Sequence, residues 1–389
     1  MVIVAEWSHS LVLGRWAPLD NGRLSDFHAI IPAGGVGSRL WPLSRADHPK
    51  FLHDLTGNGH TLLRNTWNRL VPLTGPEGIV VVTGSSHQAA VWQQLPELPS
   101  GAMVVEPSPK ESTAAIGVAA AILQRRHPEA IVGSFAADHV ITDERRFHEA
   151  VTEAYHVASQ GEMLVTIGMR PTEPSSAFGY VRVGEPLSID GAPHARAAAG
   201  FVEKPDFQTA THYVDSGDYL WNAGMFIARA DLLLDLLRQS KPEIHQRLLT
   251  IAEAWDTPER DRVMATVWPE LEKIAFDYSV AEPAAEAGHM AVIPGEFGWD
   301  DVGDFAALAR LHSRGVTDLA VLGENSRVLA DGASGIVVSQ SERLVSVIGV
   351  SDIVVVDTPD ALLVTTKENA QRVKALVDLL KLNGSDNVL

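Results

Sequence analysis

The residues with the clearest chemical potential are three glycines and the basic side chains that follow them. An apolar run over residues 28–33 has the length and β-branched character of a buried strand, and it ends directly in the glycines. Because glycine has no Cβ, its N–H group can approach a ligand closely, and several such groups can point at one anion. We therefore predict a phosphate-binding loop whose charge the basic residues neutralise. Its residues are Gly34, Gly35, Gly37, Arg39, Arg45 and Lys50.

The elements around this loop predict an α/β fold. Alternating strands and helices imply right-handed crossovers and a Rossmann-like mixed, mainly parallel sheet with helices on both faces. In such sheets ligands bind beyond the carboxyl ends of the strands, which is where the glycine loop, Glu106 and Asp138 lie. Further strands are expected at 78–83, 103–106 and 131–136, and helices at 61–70 and 112–126, with Ser112 as the N-cap of the second helix.

The pattern changes near Gly315. From there to Pro359 the chain consists of short Val- and Ile-rich runs broken by Gly, Asp and Ser, which is typical of a compact β-rich domain, and a helix over 367–382 follows. We therefore predict an N-terminal extension (1–27), a catalytic domain (28–314) and a C-terminal β-rich domain (315–389).

Composition limits the possible functions. A formal net charge of −18 argues against a nucleic-acid-binding surface, and no apolar stretch approaches the length of a membrane span. The absence of cysteine excludes disulfides, thiolate metal sites and a cysteine nucleophile. No basic segment precedes an apolar N-terminal run, so no signal peptide is expected. A cytoplasmic protein is the prediction.

The glycine loop resembles a family signature. The run GGVGSRLWPLS, from Gly34 to Ser44, followed by Pro49-Lys50, is similar to that of the nucleoside-diphosphate-sugar pyrophosphorylases. Its WPLS ending resembles their mannose-1-phosphate guanylyltransferase branch, although Phe51 stands where many members have Gln. The resemblance implies a nucleotidyltransferase fold of the glycosyltransferase-A-like type, with a short left-handed β-helix element in the C-terminal domain.

The resemblance also implies a Mg²⁺ site made by two distant carboxylates. Asp138 follows an apolar strand, and Asp301 lies in the motif GWDDVGD, where Asp300 is the rival ligand. One or two carboxylates plus substrate phosphates suit the preference of Mg²⁺ for oxygen ligands. The alternative is that these acids only cap helices or form turns. On the family pattern, Arg39 holds the β- and γ-phosphates of the nucleotide and Lys50 holds the α-phosphate.

Three further short motifs resemble the family's sugar-phosphate site, and they occur in the expected order. They are FVEKP at 201–205, WNAG at 221–224 and FGY at 178–180. By this resemblance Glu203 and Asn222 bind sugar hydroxyls, Lys204 binds the sugar's phosphate, and Gly179 lets the hexose approach. Asp277 resembles a further sugar-side element. Solvated or turn-forming side chains are the alternative for all of them.

The base-binding segment departs from the family pattern at three positions. Guanine presents hydrogen-bond donors, so a carboxylate should recognise it, and the segment 106–112 supplies Glu106 and Glu111 before Ser112. Many relatives have EPxxRNT here, whereas this chain has Lys, Glu and Ser at the last three positions. Alternatively, Glu111 only stabilises the start of a helix through its dipole.

The function implied is transfer of GMP from GTP to mannose 1-phosphate, with Mg²⁺ as cofactor. A sugar phosphate is already an anion near neutral pH because its second pKa is about 6, so no general base is required. Two alternatives stay open: the same chemistry with glucose 1-phosphate and UTP or dTTP, and a non-catalytic regulatory paralogue that binds GDP-mannose. A homodimer through the C-terminal domain is a further expectation, whereas a fused isomerase domain is not expected.

Overall fold

A computed structural model of the protein describes residues 23–313, 315, 318–323 and 327–389. Most of the predicted N-terminal extension, residues 1–22, lies outside the described residues. The strands of the central sheet are β1 (Phe27–Ala33), β2 (Ile79–Gly84), β3 (Met103–Glu106), β4 (Ile131–Ser134), β6 (Leu164–Met169), β7 (Tyr180–Pro186), β8 (Arg196–Val202), β9 (Tyr219–Arg229) and β10 (Met290–Gly295). Their order is β3-β2-β1-β4-β9-β6-β10-β8-β7, and β9 also pairs with β7. A separate two-stranded sheet is formed by β5 (Val140–Ile141) and β11 (Trp299–Asp300).

The predicted α/β fold is confirmed, and the sheet is mixed. Strands β1 to β4, the first half of the sheet, pair in parallel, as the sequence predicts. Strand β9 is antiparallel to β4, β6 and β7, and β8 is antiparallel to β7 and β10. The second half is therefore less parallel than expected, because β9 lies between strands that run in the opposite direction.

Helices cover both faces of the sheet and enclose two apolar cores. The helices are α1 (Leu62–Thr74), α2 (Gln88–Gln94), α3 (Glu111–Arg126), α4 (Glu144–Gln160), α5 (Phe207–Ser216), α6 (Ala230–Ser240), α7 (Pro242–Ala254), α8 (Arg260–Val267), α9 (Glu282–Glu286), α10 (Phe305–His312) and α11 (Val373–Leu382). One core packs α1 and α4 against side chains such as Ala29 and Ile31 of β1, and the other packs α3, α6 and α7 against Ile30. This alternation follows from the two-residue period of a strand.

One predicted helix cap is wrong. Helix α3 begins at Glu111 rather than after Ser112, and its N-cap residue, Lys110, makes no side-chain capping bond. The Ser112 hydroxyl instead accepts a hydrogen bond from the Phe276 N–H at 2.8 Å. A hydroxyl inside the first turn can bond a distant segment, and local sequence does not reveal that competitor.

The C-terminal domain is β-helix-like. Its strands are β12 (Leu319–Leu322), β13 (Val328–Asp331), β14 (Gly335–Ser339), β15 (Val345–Ile348), β16 (Ile353–Asp357) and β17 (Leu362–Thr366). Alternate strands stack in parallel: β12 on β14 on β16, and β13 on β15, with β17 antiparallel to β16. Leu319 pairs with Gly335 and Gly335 with Ile353, so the number of residues per coil varies and no regular repeat shows in the sequence. Among the described residues, no helix is both long and apolar enough to cross a lipid bilayer.

Candidate active site

The glycine loop leaves the carboxyl end of β1 and folds over Lys50. Gly37 has a φ of 74°, and a Cβ there would lie 2.6 Å from the Lys50 Cβ. A side chain at Gly37 would therefore displace Lys50, in addition to the strain of a left-handed backbone. The Lys50 N–H also donates to the Val36 carbonyl at 3.0 Å. Loop and lysine thus form one unit.

Lys50 joins the two acids that the sequence places far apart. Its Nζ lies 2.8 Å from Asp138 Oδ2, and it also donates to the backbone carbonyl of Asp301. Lys50 is 5% exposed, so its charge is largely shielded from water. The structure brings Lys50, Asp138 and Asp301 to one point at the carboxyl edge of the sheet, as the sequence predicts.

The two carboxylates have opposite electrostatic surroundings. Burial disfavours the charged form of Asp138, but the Lys50 ammonium outweighs burial and holds the pKa of Asp138 below its usual range. Burial raises the pKa of Asp301 to about 6, and the negative charges of Asp300 and Asp138 add to this effect against the opposing charge of Lys50. A divalent cation between Asp138 and Asp301 would remove this penalty.

The structure favours Asp301 over Asp300 as a metal ligand. Asp300 Oδ1 accepts the Val302 N–H at 2.7 Å and so stabilises the turn. Val302 has a φ of 43°, an uncommon conformation for a β-branched residue. The Asp301 carboxylate lies close to Gly303, where a Cβ would be 2.9 Å from Oδ2. Asp300 is therefore a turn former. The charge of Lys50 acts on both acids, but only the Asp301 carboxylate is also affected by Asp138.

The donor set fits a hard cation that also binds substrate. Asp138 and Asp301 offer only oxygen ligands, as Mg²⁺ prefers. Within the part of the chain that the structure describes, no group of three or more His, Asp or Glu side chains could hold a metal. A two-carboxylate site completed by phosphate oxygens fits this donor set.

The two arginines of the loop have different surroundings. Arg39 is half-buried beside Gly37, and its side chain has no hydrogen-bond or ion-pair partner among the described residues. Arg45 does not neutralise the phosphate loop as expected, because Asp360 of the C-terminal domain pairs with its guanidinium, with an Nη2–Oδ1 distance of 2.6 Å. A distant ion-pair partner of this kind leaves no local sequence signal.

The predicted base-binding acids lie at the end of β3 and the start of α3. Glu106 is buried, with its carboxylate beside Gly34, and burial together with repulsion from Glu111 raises its pKa to about 7. Glu111 is more exposed, lies 3.5 Å from Lys273, and has a φ of 67°. The structure thus places Glu106 beside the glycine loop and Glu111 beside Lys273, and the Ser112 hydroxyl binds the N–H of Phe276, the residue before Asp277.

Asn222 is the centre of the sugar-side group. Its Nδ2 donates to Asp277 Oδ1 at 2.9 Å, and its Oδ1 accepts the Thr166 hydroxyl at 2.8 Å and the Gly224 N–H at 3.1 Å. Its backbone N–H donates to the Gly179 carbonyl at 2.8 Å. These bonds fix the orientation of the amide and connect three of the predicted sugar-side residues.

Glu203 and Lys204 complete this group. The Glu203 side chain is 6% exposed, and its Oε1 lies 2.5 Å from Lys204 Nζ, while the carboxylate packs against Gly179. Burial and repulsion from Glu203 raise the pKa of Asp277 to about 6. Lys204 has a φ of 49°, so an unfavourable backbone conformation is retained at this turn. All five predicted sugar-side residues are brought together.

A row of aromatic side chains connects the sugar-side group to the surroundings of Asp138. The Phe178 ring lies 4.9 Å from Trp221 and 5.5 Å from Trp299, and Trp299 Nε1 donates to His139 Nδ1 at 3.2 Å. Burial lowers the pKa of His139 to about 4, so this imidazole is neutral and accepts the hydrogen bond from the indole N–H. His139 is therefore a supporting residue beside Asp138.

Sequence reasoning missed several supporting residues. Thr166 orients the Asn222 amide from inside β6, and the Glu282 carboxylate accepts the Glu203 N–H at 3.0 Å. Arg69, buried in α1, donates to the His139 carbonyl at 2.7 Å. A buried Arg and a buried Thr in apolar segments were the available signals, because such groups need partners.

These features are those of a nucleotide-transferring enzyme, and comparison with known proteins agrees. A family model described as nucleotidyl transferase matches residues 28–316, and one described as a mannose-phosphate isomerase/GMP-like β-helix domain matches residues 325–380. The chain belongs to the nucleotidyl transferase family.

Particular relatives are more specific. The mannose-1-phosphate guanylyltransferase of Salmonella muenchen is 36% identical over 92% of this chain and 74% of its own length. The xanthan biosynthesis protein XanB of Xanthomonas campestris pv. campestris is 36% identical over 93% of this chain and 74% of its own. A crystal structure from Thermus thermophilus, described as a mannose-1-phosphate geranyltransferase, has a TM-score of 0.80 and 31% identity, covering 92% of this chain and 99% of that one.

Proposed function

We propose that the protein transfers GMP from GTP to α-D-mannose 1-phosphate and releases pyrophosphate. The observation that carries this proposal is the buried Lys50, shared between the Asp138 carboxylate and the Asp301 carbonyl at the edge of the glycine loop. The names of the curated relatives support the choice of substrates.

The reaction is an in-line substitution at the α-phosphorus of GTP. A phosphate oxygen of mannose 1-phosphate forms the new P–O bond, and the bond from the α-phosphorus to the bridging oxygen of pyrophosphate breaks, with its electron pair leaving on pyrophosphate. The attacking oxygen already carries charge near neutral pH, so no side chain has to remove a proton. The protein's main tasks are alignment of two polyanions and stabilisation of their charge.

The nucleotide half of the site carries two positive charges. Arg39, beside the glycine loop, holds the β- and γ-phosphates, and Lys50 holds the α-phosphate. Glu106 and Glu111 accept hydrogen bonds from the guanine, and Ser112 of the same segment also contributes to nucleotide binding. A Mg²⁺ ion held by Asp138, Asp301 and phosphate oxygens supplies further charge neutralisation when it is bound.

The sugar half provides hydroxyl acceptors and one cation. Glu203, Asn222 and Asp277 bind hexose hydroxyls, and the bare backbone of Gly179 leaves room for the ring. Lys204 exchanges its contact with Glu203 for the phosphate of mannose 1-phosphate. Because Lys204 is about half-exposed, its side chain can make this change at low cost.

The decisive assay mixes purified protein with GTP, mannose 1-phosphate and Mg²⁺, and measures pyrophosphate and GDP-mannose. We expect both products in equal amounts, and none when either substrate is omitted. A panel with UTP or dTTP and glucose 1-phosphate tests the other base and sugar. Activity confined to that panel, or GDP-mannose binding without pyrophosphate release, would contradict the proposal.

We also propose that the C-terminal domain forms a homodimer. Large apolar side chains are exposed on strands β15 and β17, which belong to different sheets but line the same groove: Ile348 is 72%, Leu362 54% and Val364 59% exposed. A face of this kind is typical of a protein interface, and a two-fold contact would bury it on both copies. Light scattering should show a dimer for the wild type and for Leu382→Asp, an exposed apolar control, and a monomer for Ile348→Asp. A monomeric wild type would contradict this.

A further inference from the structure

The glycine loop packs on the C-terminal domain through apolar side chains. Leu40 and Trp41 are buried in the same cluster as Val354 and Val356 of β16. Trp41 Nε1 also donates to the Val388 carbonyl at 2.6 Å, near the end of the chain. The loop that would bind the nucleotide is therefore supported from outside the central sheet.

A bidentate ion pair fixes the second part of this loop. Arg45 Nη2 lies 2.6 Å from Asp360 Oδ1 and Arg45 Nη1 lies 2.9 Å from Oδ2, while Arg45 Nε donates to the Pro42 carbonyl at 3.0 Å. Arg45 and His48 exchange backbone hydrogen bonds of 3.0 and 3.2 Å. His48 is two residues before Lys50, so the ion pair holds the turn that leads to the central lysine.

The same domain also holds the Asp301 segment. Val302 is fully buried in the cluster that contains β16. This packing holds Val302 in its unfavourable backbone conformation. Asp304 caps α10 through hydrogen bonds from the Ala306 and Ala307 N–H groups, and its second oxygen accepts a hydrogen bond from Gln371 of the C-terminal domain. Two of the segments that contact Lys50, the glycine loop and the Asp301 segment, are thus bound to the C-terminal domain.

We propose that the C-terminal domain acts as a clamp that sets the geometry of the phosphate end, with Arg45, Asp360 and Gln371 as positioning residues. This inference rests on the proposed function, because it assumes that GTP occupies the glycine loop. The ion pair restricts the movement of the loop, and such preorganisation improves both nucleotide affinity and turnover. The sugar end lies on β7, β8 and β9 of the central sheet and should be unaffected.

The test compares Arg45→Ala, Asp360→Asn and the double variant with the wild type. We expect each single change to weaken GTP affinity, measured by calorimetry, by about tenfold, which is a typical coupling for contacting residues. The KM for mannose 1-phosphate should stay within about twofold. Because the pair acts as a unit, the double variant should be no weaker than the weaker single variant, and Arg45→Lys should recover part of the loss.

Arg126→Ala is the matched control. Arg126 makes an equivalent bidentate pair with Asp256, at 2.6 and 3.0 Å, at the end of α3 opposite to Glu111, and its loss should leave GTP affinity within about twofold. Gln371→Ala tests the Asp301 side and should also weaken GTP affinity in the same calorimetric assay, because it removes the hydrogen bond to Asp304.

Three results would overturn the clamp. They are unchanged GTP affinity in Arg45→Ala and Asp360→Asn, losses that multiply in the double variant, or equal losses for both substrates. Failure of the wild type to bind GTP would contradict the proposed function itself, and the clamp with it. Unfolding temperatures show whether each variant is folded and separate a loss of GTP affinity from a loss of the fold.

Discussion

The two ends of the candidate active site are constructed differently. At the phosphate end, Asp138 and Asp301 come from segments far apart in the chain, and the buried ammonium group of Lys50 contacts both. At the sugar end, most of the polar groups lie on β7, β8 and β9 or directly beside them, and hydrogen bonds orient them. The phosphate end therefore depends on charge, whereas the sugar end depends on a network that fixes one amide. Loss of charge should affect turnover most, and loss of the amide should affect sugar binding.

The largest effect is expected for Lys50→Ala. Without the lysine, repulsion between Asp138 and Asp301 increases and the α-phosphate loses its cation, so kcat should fall by about 1,000-fold while the protein still folds. Steady-state kinetics and circular dichroism measure the two properties. Lys241→Ala, which breaks an exposed pair with Glu272, is the control. A folded, active Lys50→Ala variant would remove Lys50 from the mechanism.

A second prediction separates the neighbouring acids of the phosphate end. Asp138→Asn should raise the Mg²⁺ concentration for half-maximal turnover by about 100-fold, because an amide is a weaker ligand than a carboxylate. Asp300→Asn should leave that concentration unchanged, since this side chain is used in the Val302 turn. Titration of activity with Mg²⁺ compares them. Equal metal dependence in Asp138→Asn and the wild type would contradict the two-carboxylate site.

At the sugar end, Asn222→Ala should raise the KM for mannose 1-phosphate by about tenfold, with a smaller change in the KM for GTP. The amide holds Asp277 in place, and its loss leaves buried groups without partners. Asn369→Ala removes a comparable amide bond to Thr366 in the C-terminal domain and serves as the control. If the KM for GTP rose more than that for mannose 1-phosphate, the two ends would be wrongly assigned.

The smallest effect concerns stability and pH. The pKa of Asp277 is raised to about 6 by burial and by Glu203. The folded protein therefore holds this proton more tightly than the unfolded chain, and the contribution of Asp277 to the free energy of unfolding falls as pH rises from about 4 to 6. Asp277→Asn should be more stable than the wild type above pH 6, by about 1–2 kcal/mol, and the difference should shrink towards pH 4. Denaturant titrations at several pH values measure this difference in the free energy of unfolding. A difference that does not change with pH would contradict a raised pKa for Asp277.

The sequence predicts the contents of the site better than its support. The glycine loop, the strand-end acids and the short sugar-side motifs are local patterns, and the strands carry them to one edge of the sheet. The predictions for Arg45 as a loop cation and for Ser112 as a helix cap are wrong because each residue pairs with one that is distant in the chain, Asp360 and Phe276. Such pairing leaves no periodic signal. The β-helix-like domain shows no repeat in the sequence because the number of residues per coil varies.

The most direct test of the central claim is a crystal structure of the protein with GDP-mannose and Mn²⁺, which anomalous scattering can locate. We predict the metal between Asp138 and Asp301, the α-phosphate of the nucleotide on Lys50, and the mannose against Glu203 and Asn222. Metal bound elsewhere, or a nucleotide and sugar in a different cavity, would contradict the account.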